Sequence, residues 1–248
     1  MSYFVRLAAK RIIPFQVRQW MRTQQQNLSL SPAFGRVRFG SLRRLKPISS
    51  VFGLDRGQAI DRYYIEQFLS RHSADIRGRV LEIGDNSYTM RFGGEKVSRS
   101  DVLHVQEGNP QATIVANLES NDMPAGIFDC IILTQTLQFM YETGAALRTV
   151  HRILKPRGVL LATFPGISQI SRHDMKRWGD YWRFTSLSAR RLFEESFSGV
   201  DVAIETHGNV LVASAFLYGL AAEELRKKEL DHHDPDYEFL IAVRAFKS

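Results

Sequence analysis

Val80-Leu81-Glu82-Ile83-Gly84 and, further along, Phe128-Asp129-Cys130-Ile131-Ile132-Leu133-Thr134 decide how this chain folds. Each is a short apolar run bounded by turn residues. Such runs are too short for a helix and read as strands buried on both faces. Gly84 closes the first; without a Cβ it lets a ligand approach the backbone. A third apolar run, VLLATF at 159–164, follows the turn Lys155-Pro156-Arg157-Gly158. Helical patterns separate these strands. Segment 60–72 places Ile60, Tyr64, Ile65, Phe68 and Leu69 on one side, 145–154 is helical, and Thr185 or Ser186 caps a helix reaching about 197. Further strands are expected ending near Asp101, over 112–118, over 202–205 and over 238–246, with a helix-rich stretch at 211–230. Buried strands alternating with helices give a mostly parallel sheet covered on both faces. Ligands bind such a sheet at the carboxyl ends of its strands, where strand order reverses.

The charge is divided unevenly. The 248 residues hold 33 Lys+Arg and 26 Asp+Glu, a net +7. Ten of the basic residues (Arg6, Lys10, Arg11, Arg18, Arg22, Arg36, Arg38, Arg43, Arg44 and Lys46) lie within residues 1–50, and the first acid is Asp55. The remaining 23 basic and 26 acidic residues give a body of net −3. The chain therefore reads as a basic N-terminal arm, 1–54, and a domain, 55–248. A hydrophobic content of 44% with 24% charge excludes wholesale disorder. The single Cys130 excludes an internal disulfide framework and a cysteine zinc cluster.

No apolar stretch reaches the ~20 residues of a membrane span. Pro14, Arg18 and Arg22 argue against a secretory signal. The expected location is cytoplasmic, with the arm as a peripheral contact at the inner membrane face. A helix over 4–13, broken or kinked by Pro14, would set Phe4, Val5, Ala8 and Ile12 on one face with Arg6 and Lys10 opposing them, and Ile13, Phe15 and Trp20 extend the interfacial pattern. Docking of the arm on the acidic body or on a partner subunit is an equal alternative. Nucleic acid ranks below both, because the arm holds no recognised binding motif.

The order VLEIG (80–84), an acid about one strand later (Asp101), FDCIIL (128–133) and LKPRGVLLATFP (154–165) resembles the class I methyltransferases that use S-adenosylmethionine, and among them the bacterial type-11 group. The resemblance covers about 55–248. It implies a Rossmann-like α/β domain, a mostly parallel seven-stranded sheet with helices on both faces. One departure stands out: where the family has G-x-G-x-G, this chain has Gly84-Asp85-Asn86-Ser87-Tyr88. Asp85 and Asn86 tolerate left-handed backbone, so the turn can survive. S-adenosylmethionine has no phosphate, so no phosphate cradle is required.

The resemblance implies a cofactor site. Glu82, Gly84 and Asp85 would lie beside the cofactor, and Asp101 would accept its ribose hydroxyls. Asn117 and Leu118 would bracket the adenine, and Gln135 would face the methionyl end. Each has a plainer reading: Glu82 as a paired buried acid, Asp101 and Asn117 as turn residues, Gln135 as a helix cap. Asp129 lies near a strand start and reads as structural. Asp180-Tyr181-Trp182-Arg183-Phe184-Thr185 resembles a motif of one branch of the family, on the acceptor side of the pocket. Tyr181 and Arg183 are its candidate substrate contacts; the alternative is core anchoring and pairing with a buried acid. The front helix carries Asp61, Arg62, Tyr63 and Tyr64, and in the family such a helix lies over the cofactor as a lid; Tyr63 is a further candidate contact. An acceptor that loses a proton needs a general base, and His173, Asp174 and Asp180 are the candidates. The group His232-His233-Asp234 lacks a completing ligand at known spacing, so no metal site is expected.

The expected function is methyl transfer from S-adenosylmethionine to a small-molecule or glycan-type acceptor, by analogy with relatives tied to bacterial polysaccharide biosynthesis. The alternative is a non-catalytic methyltransferase-like module, a scaffold at a membrane surface or beside a glycan-synthesis partner. The altered loop after Gly84 motivates it. A dehydrogenase is disfavoured, since no G-x-G-x-x-G follows the first strand.

Overall fold

A computed structural model of the chain describes residues 17, 32, 34–120, 122–197 and 202–247. The helix expected over 4–13 lies outside the described residues. Lys46–Ser248 forms one compact unit. Residues 46–54, grouped with the arm by charge, are tied into that unit. The Ile48 and Ser49 amides donate to the Tyr218 carbonyl (2.8 and 3.3 Å), and Ser49 is buried.

Helix α1 (Ile60–Arg71) buries Ile60, Tyr64, Ile65, Phe68 and Leu69, the face its periodicity predicts. Strand β1 (Gly78–Ile83) follows, then a π-helical turn at Thr89–Gly93 and strand β2 (Val97–His104). No helix intervenes before β3 (Ile114–Val115). Then come β4 (Phe128–Thr134), α2 (Thr143–Ile153), β5 (Leu154–Pro165), the short α3 (Arg172–Met175), α4 (Ser186–Ser196), β6 (Val202–His207), α5 (Val210–Leu217), α6 (Lys227–Leu230) and β7 (Leu240–Phe246). Thr185 caps α4: its hydroxyl accepts from the Ser188 amide at 3.2 Å.

Among the described residues the seven strands form one sheet, ordered β3-β2-β1-β4-β5-β7-β6. β7 runs antiparallel to both of its neighbours, and the other paired strands are parallel. The chain builds outward from β1 to β3, then returns to the other side of β1 with β4. The crevice that this reversal leaves lies above the carboxyl ends of β1 and β4. Side chains alternate across the pleat. Leu81, Ile131 and Leu133 enter one apolar cluster with Leu147, Val150 and Phe193 from α2 and α4. Val80, Cys130 and Ile132 enter the other with Ile65, Phe68 and Phe216 from α1 and α5. Both faces are covered, which is why the central strands read as continuous apolar runs.

Three expectations shift. β2 does not end near Asp101 but continues to His104. Asp101 sits opposite Leu81 within the ladder, and its charge is tolerated there because Arg79 and Arg99 flank it. The strand expected over 112–118 is reduced to Ile114–Val115, an edge strand held only by Leu103 and His104 of β2. The turn expected at 155–158 is absorbed into β5 as a bulge. Register passes from Phe128↔Leu154 to Cys130↔Val159, and Arg157 takes a left-handed φ of 66°.

Candidate functional site

The loop after β1 builds the floor of the site. Gly84 has φ +88°, and a Cβ there would meet nothing within 4 Å. The left-handed backbone, not crowding, requires glycine here, and the open space above it belongs to a cavity of about 400 Å³. The loop keeps its shape without further glycines. The Asp85 carboxylate accepts from the Ser87 amide (2.8 Å), the Gly84 carbonyl accepts from the Asn109 side-chain amide (2.6 Å), and the Asn86 side-chain amide donates to Ser100 on β2 (3.2 Å). Asn86 therefore turns toward β2. Glu82 is buried, and its carboxylate accepts from the Thr89 amide and hydroxyl (both 2.7 Å) and from the Tyr88 amide (3.2 Å). Burial pushes its pKa up, against the pull of those donors. Its main work is to hold the turn after the loop at the cavity edge.

Glu82, Gly84, Asp85, Asn117, Leu118 and Gln135 all line this cavity. Leu118 is buried, and Asn117 Oδ1 accepts from the Glu119 amide (2.9 Å), which fixes the turn after β3. Gln135 follows β4 with a φ of 48°. Its amide donates to the Thr163 carbonyl (2.8 Å), and its carbonyl accepts from the Gln138 side chain (2.8 Å).

Asp101 is the correction. It does not line the cavity: its fully buried carboxylate accepts from Arg79 Nε (2.6 Å), Arg99 Nε (3.2 Å) and Thr113 Oγ1 (3.2 Å). Burial opposes its ionisation, but the Arg79 and Arg99 guanidiniums outweigh burial and hold it below the usual carboxylate range. The residue at the cavity end of β2 is His104, with Gln106 beside it. His104 Nδ1 is 2.7 Å from the Gln106 carbonyl, and its ring meets Trp178 edge-on at 5.2 Å. Sequence reasoning missed both His104 and Trp178, because β2 reads as ending at its acid.

A second cavity of about 320 Å³ adjoins the first. Arg62, Gln135, Phe139 and Asp174 line both. The segment from Gly166 to Thr185 forms a strap over the two. Asp174, Arg177 and Trp178 face the larger cavity; Ser168, Gln169, Ser171, Asp180 and Arg183 face the smaller. Gly166 starts the strap where a Cβ would lie 1.9 Å from the Glu238 carbonyl oxygen, so no side chain fits. Asp180 and Arg183 fasten it. Their side chains form a two-armed ion pair (2.5 and 3.0 Å), Arg183 also donates to the Gln169 carbonyl (2.6 Å), and Asp180 accepts from the Ser171 amide (2.8 Å). Arg183 holds Asp180 below the usual carboxylate range despite burial. The ion pair and the Ser171 bond make Asp180 the strap's anchor.

Other expected residues fall elsewhere. Tyr63 turns from both cavities, and its hydroxyl donates to Asp231 (2.7 Å). α1 presents Asp61 and Arg62 instead, Arg62 donating to the Tyr88 hydroxyl (3.0 Å). Tyr181 is exposed, its ring against Tyr141 at 5.4 Å, outside either lining. His173 is exposed beside Arg177 and also lies outside both. Asp174 remains, with its second oxygen accepting from Ser171 Oγ (2.5 Å). Cys130 is buried in the sheet, and burial pushes its thiol pKa up, as befits a core thiol. Asp129 ties β4 to its neighbours through the Arg79 amide (2.8 Å) and Lys155 Nζ (2.7 Å).

Comparison with known proteins gives this arrangement its relatives. Residues 75–162 match a family described as a methyltransferase domain. The ubiquinone/menaquinone biosynthesis C-methyltransferase UbiE of Escherichia fergusonii is 34% identical over 84 residues, 34% of this chain and 32% of that protein. UbiE of an Enterobacter species matches to the same extent. The chain thus spans about a third of the length of the curated relatives it matches. Among solved structures, the [4+2]-cyclase SpnF superposes with a TM-score of 0.51 at 19% identity, covering 77% of this chain and 83% of that one. A methyltransferase from Thermotoga maritima that depends on S-adenosylmethionine superposes with a TM-score of 0.50 at 15% identity, covering 76% and 92%. The fold is the Rossmann-like fold of the class I methyltransferases, and residues 75–162 carry that domain's sequence pattern.

Proposed function

We propose that this chain transfers a methyl group from S-adenosylmethionine, bound in the larger cavity, to a small-molecule or glycan-type acceptor bound in the smaller one. The observation that carries this reading is the shared wall: Arg62, Gln135, Phe139 and Asp174 border both cavities at the carboxyl end of β4. Donor and acceptor would meet there.

The larger cavity fits the cofactor in kind. Gly84 leaves an unfilled cradle at the strand reversal, Leu103, Ala116 and Leu118 offer apolar wall, and Asn117 offers an amide. Four carboxylates, Glu82, Asp85, Glu119 and Asp174, outnumber the two guanidiniums of Arg62 and Arg177 in the lining, a balance that suits a sulfonium cation better than a phosphate. When bound, the cofactor supplies an activated methyl group. The protein's part is alignment, since an in-line displacement depends on positioning above all. Gln135 is suited to it, pinned on both sides by backbone bonds.

A glycan acceptor, and a place in bacterial polysaccharide biosynthesis, rest on analogy alone. We place the protein in the cytoplasm with its basic arm, 1–54, as a peripheral contact to the inner membrane face. Among the described residues no helix is long and apolar enough to cross a membrane. The second reading, a non-catalytic module, draws on the single glycine of the loop and on the withdrawal of Asp101 from the cavity. Calorimetric titration with S-adenosylmethionine and S-adenosylhomocysteine decides between them. Micromolar binding is expected; no heat at millimolar ligand defeats the enzyme reading.

A further inference from the structure

The smaller cavity contains hydrogen-bonding groups that nothing in the protein satisfies. Gln138 is 5% exposed. Its amide nitrogen donates to the Gln135 carbonyl (2.8 Å), which fixes the orientation of the amide, and its Oε1 has no partner. Gln169 Oε1 is likewise buried without a partner. Both residues line this cavity. A buried acceptor left unpaired costs about 1–3 kcal/mol, so two in one cavity mark a place for a molecule that brings donors. Of the cationic donors lining it, Arg183 is held by Asp180 and the Gln169 carbonyl, and Arg62 gives one N–H to the Tyr88 hydroxyl. The cavity therefore offers two unpaired acceptors, which favour a ligand that brings donors. Its volume of about 320 Å³ falls within the ~300–1,000 Å³ of small-ligand pockets.

Three carboxylates line it, and two are committed. Asp180 is held by Arg183 and the Ser171 amide, and Asp174 by the Ser171 hydroxyl. Asp61 is not. Its carboxylate accepts from the backbone, its own amide and the neighbouring Arg62 amide (2.9 Å) on the first turn of α1, and from no other side chain. Burial pushes its pKa up, with Arg62 opposing.

Building on the methyl-transfer reading above, we infer that the acceptor is a neutral, hydroxyl-rich molecule of sugar type, that Gln138 and Gln169 receive its hydroxyl donors, and that Asp61 takes the proton of the hydroxyl that is methylated. The new bond joins the acceptor oxygen to the methyl carbon. The carbon–sulfur bond breaks, its electron pair stays on sulfur to leave S-adenosylhomocysteine, and the hydroxyl proton passes to the Asp61 carboxylate. Asp61 lines the cavity together with Arg62, Asp174, Asp180 and Arg183.

The test uses the full chain with two readouts. Saturation-transfer NMR on the S-adenosylhomocysteine-loaded protein measures binding of methyl α-D-glucoside, methyl α-D-mannoside and methyl α-L-rhamnoside, against histamine and glutarate as amine and acid controls. Transfer of labelled methyl from S-adenosylmethionine to the same compounds measures turnover. At least one glycoside is expected to bind and to be O-methylated. Gln138→Met is expected to weaken its binding at least fivefold (about 1 kcal/mol). Asp61→Asn is expected to keep glycoside binding while turnover falls by about 10²–10⁴, the usual contribution of a general base. Three results overturn the inference: no glycoside bound by the loaded protein, transfer to the amine or acid instead, or full turnover by Asp61→Asn. Failure of wild-type protein to bind S-adenosylhomocysteine defeats instead the reading on which this one rests.

Discussion

Asp101 and Asp61 are both acids on the elements that frame the cavities, and their surroundings give them opposite behaviour. Asp101 has a folded-state pKa held down by Arg79 and Arg99 against burial. The stability it contributes is present above the ordinary carboxylate value and lost as pH falls through the lower folded value. Asp101→Ala strands two guanidiniums, each partly exposed, so the loss should be about 2–3 kcal/mol, less than the ~3–5 of a fully buried pair. Urea denaturation at neutral pH should show that loss, with the deficit shrinking in strong acid, while calorimetry shows S-adenosylhomocysteine affinity unchanged. A fall in affinity with stability intact would restore Asp101 to the ribose. Asp61 has the reverse sign. Burial raises its folded-state pKa, so stability declines as pH rises from the ordinary carboxylate value through the raised one. Asp61→Asn removes that decline, and its Tm should exceed that of wild type at neutral pH and converge with it in acid. The sequence shows both as acids in plausible places. Nothing in it shows that Arg79, the second residue of β1, reaches across to β2, and partners of this kind decide which acid is structural and which is not.

The same division appears in the elements. The central strands were legible because β1, β4 and β5 are apolar on both faces, α1 because its apolar positions recur at helical spacing, and α4 because Thr185 and Ser186 mark its N-cap. β2 and β3 were misjudged in length, since an edge strand of two residues leaves no periodicity and β2 carries a charge inside its ladder. Of the strap from Gly166 to Thr185, only its end, residues 180–185, was legible as a motif, and not its course. It crosses from β5 to the end of β2, where Trp178 meets His104. This course has a consequence. Cofactor in the larger cavity should contact Asp174, Arg177 and Trp178, so binding should immobilise the strap. Trypsin cleavage after Lys176 and Arg177 should slow in the presence of S-adenosylhomocysteine, and the fluorescence change on binding should disappear in Trp178→Phe. Unaltered cleavage at saturating ligand would mean that the strap does not touch the cofactor.

For the molecule as a whole, the net +7 conceals an arm of ten cations beside a body of net −3. A body of that sign has no reason to attract a polyanionic acceptor, and Arg183 in the smaller cavity is already held by Asp180. The arm's charge then bears on where the protein resides. Among its described residues Phe34, Val37, Phe39 and Leu45 expose their side chains, with Arg36, Arg38, Arg43 and Arg44 interspersed. That is the composition of an interfacial segment, cations for anionic headgroups and apolar groups for the acyl boundary. Each basic residue near such a surface contributes about 1 kcal/mol at physiological salt, over a Debye length of ~8 Å. Full-length protein should therefore float with phosphatidylglycerol-containing vesicles and not with neutral phosphatidylcholine, and binding should weaken steeply with added salt. Replacing Arg36, Arg38, Arg43 and Arg44 by Gln should cut the floated fraction severalfold while leaving S-adenosylhomocysteine binding untouched, since none of the four lines either cavity. Equal flotation by the variant would remove the membrane from the account. Retention of the wild type by duplex DNA in place of vesicles would assign the arm to nucleic acid.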